Sequence, residues 1–156
     1  MVSDTRKNVV GIQNDVGDQL NRLLEQAGEE SLQPALVLRF RAYLDLLLRW
    51  NARVNLTGIR DAEGILSRHF IESIICARAL PAGVGSLLDL GSGAGFPGIP
   101  IALCRPEISV TLAEAQAKKA AFLQEALRIL SLGAIVYGRR AETLGSVFDC
   151  VVMRAN

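Results

Sequence analysis

The sequence is poor in the residues that build metal centres and redox switches. It holds one histidine and three cysteines, Cys76, Cys104 and Cys150, far apart and without a C-x-x-C pair. An odd number of thiols with apolar neighbours (Ile74-Ile75-Cys76, Cys150-Val151-Val152) reads as buried free cysteines in a reducing compartment and excludes a disulfide framework. No metal site is expected. Aromatics are scarce, one Trp, two Tyr and five Phe, so the core must be mostly Leu, Ile, Val and Ala. No uncharged apolar run reaches the ~18 residues of a membrane span. Asp4, Arg6, Lys7 and Asp15 leave no apolar stretch for a secretory leader near the start, so the expected location is the cytoplasm, with no membrane partner. The net charge is only +1. Any nucleic-acid contact must therefore come from local patches.

At 156 residues, half of them hydrophobic, the chain can bury a core of normal size. Its two halves differ in pattern. Residues 1–83 read as a helical extension, with a loose polar start over 1–14. A helix is predicted over 15–27, with Val16, Leu20, Leu23, Leu24 and Ala27 on one face and Gly28 as its stop. Ser31 is expected to cap a second helix, with Pro34 in its first turn and Leu36, Phe40, Tyr43, Leu44 and Leu47 inward. Asp61 is expected to cap a third, running through Ile65, His69 and Ile74 to about Leu80. From residue 84 onward, short apolar runs alternate with helical stretches, which predicts an α/β domain with a parallel sheet. Strands are predicted at 86–90, 108–113, 134–137 and 148–153. Between them lie helices over 97–103 and 117–130 and a helical turn at 141–144. Phe122, Ala126 and Ile129 are expected inward, and Gly133 is expected to end the longer helix.

Asp89-Leu90-Gly91-Ser92-Gly93-Ala94-Gly95 follows the first strand directly. Glycines let the backbone turn tightly and approach a ligand, and a helix start supplies free N–H groups. The string from Gly93 to Gly98 fits G-x-G-x-x-G, weak evidence alone. Its placement between strand and helix, with Glu114 closing the second strand, points to a nucleotide-like cofactor whose ribose hydroxyls Glu114 accepts. Asp89 discriminates further. A carboxylate aimed at the turn repels a pyrophosphate and favours a cationic, phosphate-free ligand, S-adenosylmethionine.

These residues also resemble a known family. Asp89 to Pro100, with its Gly-Phe-Pro-Gly-Ile-Pro tail, resembles the first motif of the bacterial RsmG (GidB) family of 16S ribosomal RNA guanine-N7 methyltransferases. Trp50-Asn51-Ala52-Arg53-Val54-Asn55-Leu56-Thr57, Arg68-His69-Phe70-Ile71-Glu72-Ser73, Val110 to Ala115, Lys118 to Leu123, Arg140-Ala141-Glu142 and Arg154-Ala155 resemble further motifs in order. Glu72 and Glu114 stand where the family usually shows Asp. The resemblance implies a Rossmann-like sheet of the class I S-adenosylmethionine-dependent methyltransferases. Family members continue past the position of Asn156, so residues 84–156 would be the N-terminal part of that core, through strand four.

By that resemblance Gly91 passes the methionine part of the cofactor, with Gly93 and Gly95 in the same turn. Phe96 packs on the ligand, and Ala141 offers its backbone to the adenine with Glu142 beside it. Arg154 faces both cofactor and target base. Asn55, His69, Lys118 and Arg140 are candidates for the substrate side, although a lone histidine at helical spacing is more often a hydrogen-bonded structural residue and a solvated surface reads equally for the charges. Residues 39–69 hold six arginines against three acids, the best local patch for 16S rRNA or the small ribosomal subunit. Guanine N7 has a free lone pair and no proton, so no catalytic acid or base is expected. Two alternatives stay open: an NAD-binding oxidoreductase, and a non-catalytic RNA-binding piece of a methyltransferase fold.

Overall fold

The computed structural model describes residues 5–154; positions 1–4 and 155–156, with Ala155 of the last motif, lie outside the described residues. Helix α1 (Thr5–Gln26) begins ten residues before the predicted start at 15, so positions 5–14 are helical rather than loose. Leu20 and Leu24 are its buried anchors, whereas Ala27 is exposed in the turn that follows. Helix α2 (Pro34–Asn51) starts after Gln33, with Pro34 in its first turn. Ser31 does not cap it; its hydroxyl donates to Glu25 instead. The inward face is as the spacing predicts, with Phe40, Tyr43, Leu44 and Leu47 all buried.

Asp61 does cap the next segment, its Oδ1 accepting the Gly64 N–H at 2.7 Å. That segment is not one regular helix. Helix α3 (Ala62–Gly64) opens into a wide π-type turn over Ile65–Phe70 and then closes into α4 (Ile71–Ala79).

The second half builds a four-stranded parallel sheet. Strand β1 (Ser86–Leu90) lies between β2 (Ser109–Ala113) and β4 (Cys150–Met153), and β3 (Ile135–Tyr137) lies outside β2, giving the order β3-β2-β1-β4. Helix α5 (Gly98–Cys104) connects β1 to β2, and α6 (Ala117–Ile129) connects β2 to β3. Crossover helices between parallel strands cover the sheet faces and bury the central strands on both sides. Leu87, Leu88 and Asp89 of β1 are accordingly all buried.

In α6, Phe122 and Ala126 face inward, but Ile129 is 37% exposed and Leu130 takes the buried place. Ser131, at φ 51°, makes the left-handed turn that ends the helix; the Leu132 N–H returns to the Leu127 carbonyl at 2.9 Å, the Schellman arrangement, so Gly133 is not the stop. The three cysteines are free and half-buried rather than fully buried.

One hydrophobic core runs through both halves, from Leu20, Phe40 and Tyr43 of the helices to Ile99, Leu112 and Phe122 around the sheet. An aromatic chain sits where they meet. Tyr43 stacks on Phe70 with centroids 5.3 Å apart, and Phe96 lies 5.4 Å from Tyr43. The helical half thereby fixes the turn that follows β1.

Candidate cofactor site

The turn from Gly91 to Pro97 emerges from the C-terminal end of β1, the end at which parallel α/β sheets hold their ligands. Gly91, Gly93 and Gly95 have φ of 66°, 55° and 96°, left-handed values that a side chain disfavours. The three do different jobs. A Cβ on Gly91 would meet nothing within 4 Å beyond its chain neighbours, so its left-handed φ, not crowding, is what calls for glycine there. Gly95 serves packing instead. A Cβ there would meet the Tyr43 hydroxyl at 2.7 Å and Ile99 Cδ1 at 2.6 Å. Tyr43, fully buried, donates its hydroxyl to the Ala94 carbonyl at 2.6 Å and ties the turn to α2.

Two carboxylates clasp the same turn. Glu114, at the end of β2, accepts the Gly93 N–H at 2.8 Å through Oε2 and the Gln116 N–H at 3.0 Å through Oε1. Each oxygen keeps a further lone pair for a hydroxyl. Asp89 corrects the sequence expectation. Its carboxylate does not face the ligand side but is fully buried beneath the turn, where Oδ2 accepts the N–H of Gly98, the first residue of α5, at 3.0 Å. Its Oδ1 has no partner. Burial pushes its pKa up to about 7, against the pull of the Gly98 hydrogen bond, and the nearby Glu114 charge adds to the rise.

The amides of Ser92, Gly93 and Gly95 in the turn, and that of Gly98 just beyond it, are committed within the protein. Ser92 donates to the Ala113 carbonyl, Gly95 to that of Ser92, and Gly93 and Gly98 to the two acids. A dinucleotide fold leaves such amides free for a pyrophosphate. Here the donor set suits a cofactor without phosphate, although not by the charge repulsion expected of Asp89.

A cleft opens against the turn, lined by Leu56, Thr57, His69, Gly91, Ser92, Gly93, Ala94, Phe96 and Arg154. Asn51 builds one wall. Its side-chain oxygen accepts the N–H groups of Leu56 at 3.0 Å and Thr57 at 3.2 Å, folding the segment after α2 back toward the turn. The π-type turn presents His69, whose ring stacks on Phe96 at 4.6 Å and 15°. Thr57 Oγ1 lies 2.7 Å from His69 Nε2. Burial, then the charges of Arg154 and Arg68, lower the His69 pKa to about 4, so the ring is neutral at physiological pH. Arg154, at the end of β4, pairs with Glu72 at 2.8 Å.

The structure therefore gathers Gly91, Gly93, Phe96, His69 and Arg154 of the sequence candidates around one cleft, with Glu114 clasping its turn. Asn55 is exposed and bonded to Arg60. Lys118, Arg140, Ala141 and Glu142 do not line the cleft; Ala141 and Glu142 form a short 3₁₀ turn after β3, and Lys118 and Arg140 are exposed. Sequence reasoning missed Thr57 as a wall residue, although it lies within a quoted motif, and it missed Tyr43 as the tie that holds the turn.

The chain matches the family described as rRNA small subunit methyltransferase G over residues 37–156. It is 46% identical over 124 residues to Ribosomal RNA small subunit methyltransferase G of Roseiflexus sp. (strain RS-1), a match covering 75% of this chain and 53% of the relative. It is 41% identical over 151 residues to the protein of the same name from Xanthomonas axonopodis pv. citri (strain 306), covering 95% of this chain and 69% of the relative. The chain thus spans about half the length of the first relative and about two thirds of the second. The crystal structure of coclaurine N-methyltransferase bound to N-methylheliamine and SAH is similar at a TM-score of 0.51 and 18% identity, over 91% of this chain and 50% of that one. At that identity the likeness speaks for the fold alone, a class I methyltransferase sheet. With sequence motifs, sheet order and relatives in agreement, the chain belongs to the rRNA small subunit methyltransferase G family.

Proposed function

We propose that this chain is the cofactor-holding part of an S-adenosylmethionine-dependent methyltransferase that modifies a guanine N7 of small-subunit ribosomal RNA in the cytoplasm. Membership of the family supports the reaction. The observation that carries the cofactor is that two glycine amides of the G-x-G-x-x-G string are held by carboxylates of the protein, Gly98 by Asp89 and Gly93 by Glu114.

S-adenosylmethionine, when bound, supplies an electrophilic methyl group. Gly91 lines the cleft beside the turn. Glu114 has lone pairs left for ribose hydroxyls, and Phe96 offers an apolar wall. Ala141 and Glu142 would serve the adenine end, and Arg154 would stand between cofactor and base. On the RNA side, Asn55, Lys118, Arg140 and the arginines of residues 39–69 would meet phosphates. Guanine N7 brings its own lone pair and no proton, so the residues here orient and enclose rather than move protons.

Calorimetry separates the readings. The chain is expected to bind S-adenosylhomocysteine and not NAD, and binding of NAD alone would defeat the proposal. Transfer of labelled methyl to small-subunit rRNA by the longer protein, lost on treatment that removes N7-methylguanine, tests the target atom. Cofactor binding without any transfer would leave a non-catalytic RNA-binding role.

A further inference from the structure

His69 holds a polar atom that nothing in the fold uses. Its Nδ1 is buried and has no hydrogen-bond partner, although the ring lines the cleft and is held on two sides, by the Phe96 stack and by Thr57. Thr57 favours one ring tautomer. Its Oγ1 accepts the Ile59 N–H at 3.2 Å, and among the described residues the one acceptor in reach of its hydroxyl proton is His69 Nε2, at 2.7 Å. An accepting Nε2 places the ring proton on Nδ1. Buried donors are nearly always paired, and an exception calls for an explanation. The backbone adds a second sign. His69 lies in the π-type turn Ile65–Phe70, a distortion that interrupts a helix most often at functional places.

We propose that the His69 Nδ1–H is a ligand-binding donor that takes an oxygen acceptor of what occupies the cleft, either the carboxylate at the amino-acid end of the cofactor or the carbonyl of the target base. The proposal rests on the methyltransferase reading above. Because the imidazole is neutral, it orients that oxygen without adding a cation beside the sulfonium.

His69 is the single histidine of the chain, so histidine labelled with ¹⁵N reports one ring. In the free protein the ring is expected to show a protonated Nδ1 and an unprotonated Nε2; the opposite tautomer overturns the proposal. Addition of S-adenosylhomocysteine shifts the Nδ1 signal and slows exchange of its proton if the acceptor is on the cofactor. A shift that waits for a guanine-containing RNA fragment, added to cofactor-saturated protein, places the acceptor on the base. An Nδ1 unmoved by both overturns the proposal and leaves a buried water as its partner.

His69→Phe keeps a ring on Phe96 and removes the donor. It is expected to weaken S-adenosylhomocysteine binding about tenfold in the first case. In the second, cofactor affinity stays and kcat/KM on rRNA of the longer protein falls about tenfold. Wild-type values in both measurements overturn the proposal. If the unaltered protein takes no S-adenosylhomocysteine, the cofactor reading falls, while the tautomer in the free protein still judges His69.

Discussion

Asp89 and Gly98 meet beneath the glycine turn, the Asp89 Oδ2 accepting the Gly98 N–H at 3.0 Å, so the end of β1 holds the start of α5 directly. The acid does for the helix start what a phosphate does in dinucleotide folds. A hydrogen-bond acceptor is already in place there, supplied by the protein.

That bond leaves no room at Gly98. A Cβ would meet Leu112 Cδ2 at 2.3 Å and Asp89 Oδ2 at 2.5 Å. Gly98→Ala is expected to cost about 1–3 kcal/mol in stability and to weaken S-adenosylhomocysteine binding by displacing the turn. Urea denaturation and calorimetry measure both. Unchanged stability would mean that Leu112 yields freely.

Tyr43 anchors the turn from the other side. Tyr43→Phe keeps the stack on Phe70 but leaves the Ala94 carbonyl without its 2.6 Å donor. The expected loss is about 1–3 kcal/mol, the cost of stranding a buried acceptor. The midpoint of urea denaturation reports it, and a shift near zero would show that water replaces the hydroxyl.

Glu114→Gln tests the clasp. Glu114 accepts from Gly93 and Gln116 at once, whereas an amide offers one acceptor and turns its NH₂ on the other donor. S-adenosylhomocysteine affinity is expected to fall about tenfold or more. Affinity equal to the parent in calorimetry would remove Glu114 from the site.

Asp89 and His69 titrate in opposition. Burial raises Asp89 from 3.8 to about 7, so the folded state binds more protons than the unfolded one across that window and the Asp89 contribution to stability falls as pH rises. Burial lowers His69 from 6.5 to about 4, so the folded state binds fewer protons there and its contribution falls as pH drops. Their sum is nearly flat between pH 4 and 6.5. Asp89→Asn is expected to lose stability on acidification from 6.5 to 4 relative to the parent, and His69→Phe on alkalinisation from 4 to 7. Each difference has a slope of at most about 1.4 kcal/mol per pH unit. Denaturation series across this range check it; parallel curves would contradict both shifts.

The sheet was legible where apolar runs stood between glycines. β1 occupies 86–90 as read because Gly85 and Gly91 bracket it, and Asp61 was recognisable as a cap from its place before a helical run. The end of α6 was not legible, because Ser131 takes a left-handed conformation that composition assigns to glycine. The π-type turn at 65–70 leaves no periodic mark, since packing rather than propensity inserts the extra residue. The direction of Asp89 was misread for a similar reason. Its place in the strand was read as it stands, but that strand is buried on both faces, so the carboxylate lies in the interior instead of facing the ligand side. Thr57 and His69 are twelve residues apart, and only the fold-back organised by Asn51 brings them together.

β4 has β1 as its only neighbour among the described residues, and Val151 and Met153 stand 55% and 71% exposed on it. Such a margin is a template for adding a further strand. A charge placed at Val151 is expected to weaken any strand pairing along this margin, and light scattering that stays the same for the variant and the parent across concentration would count against it.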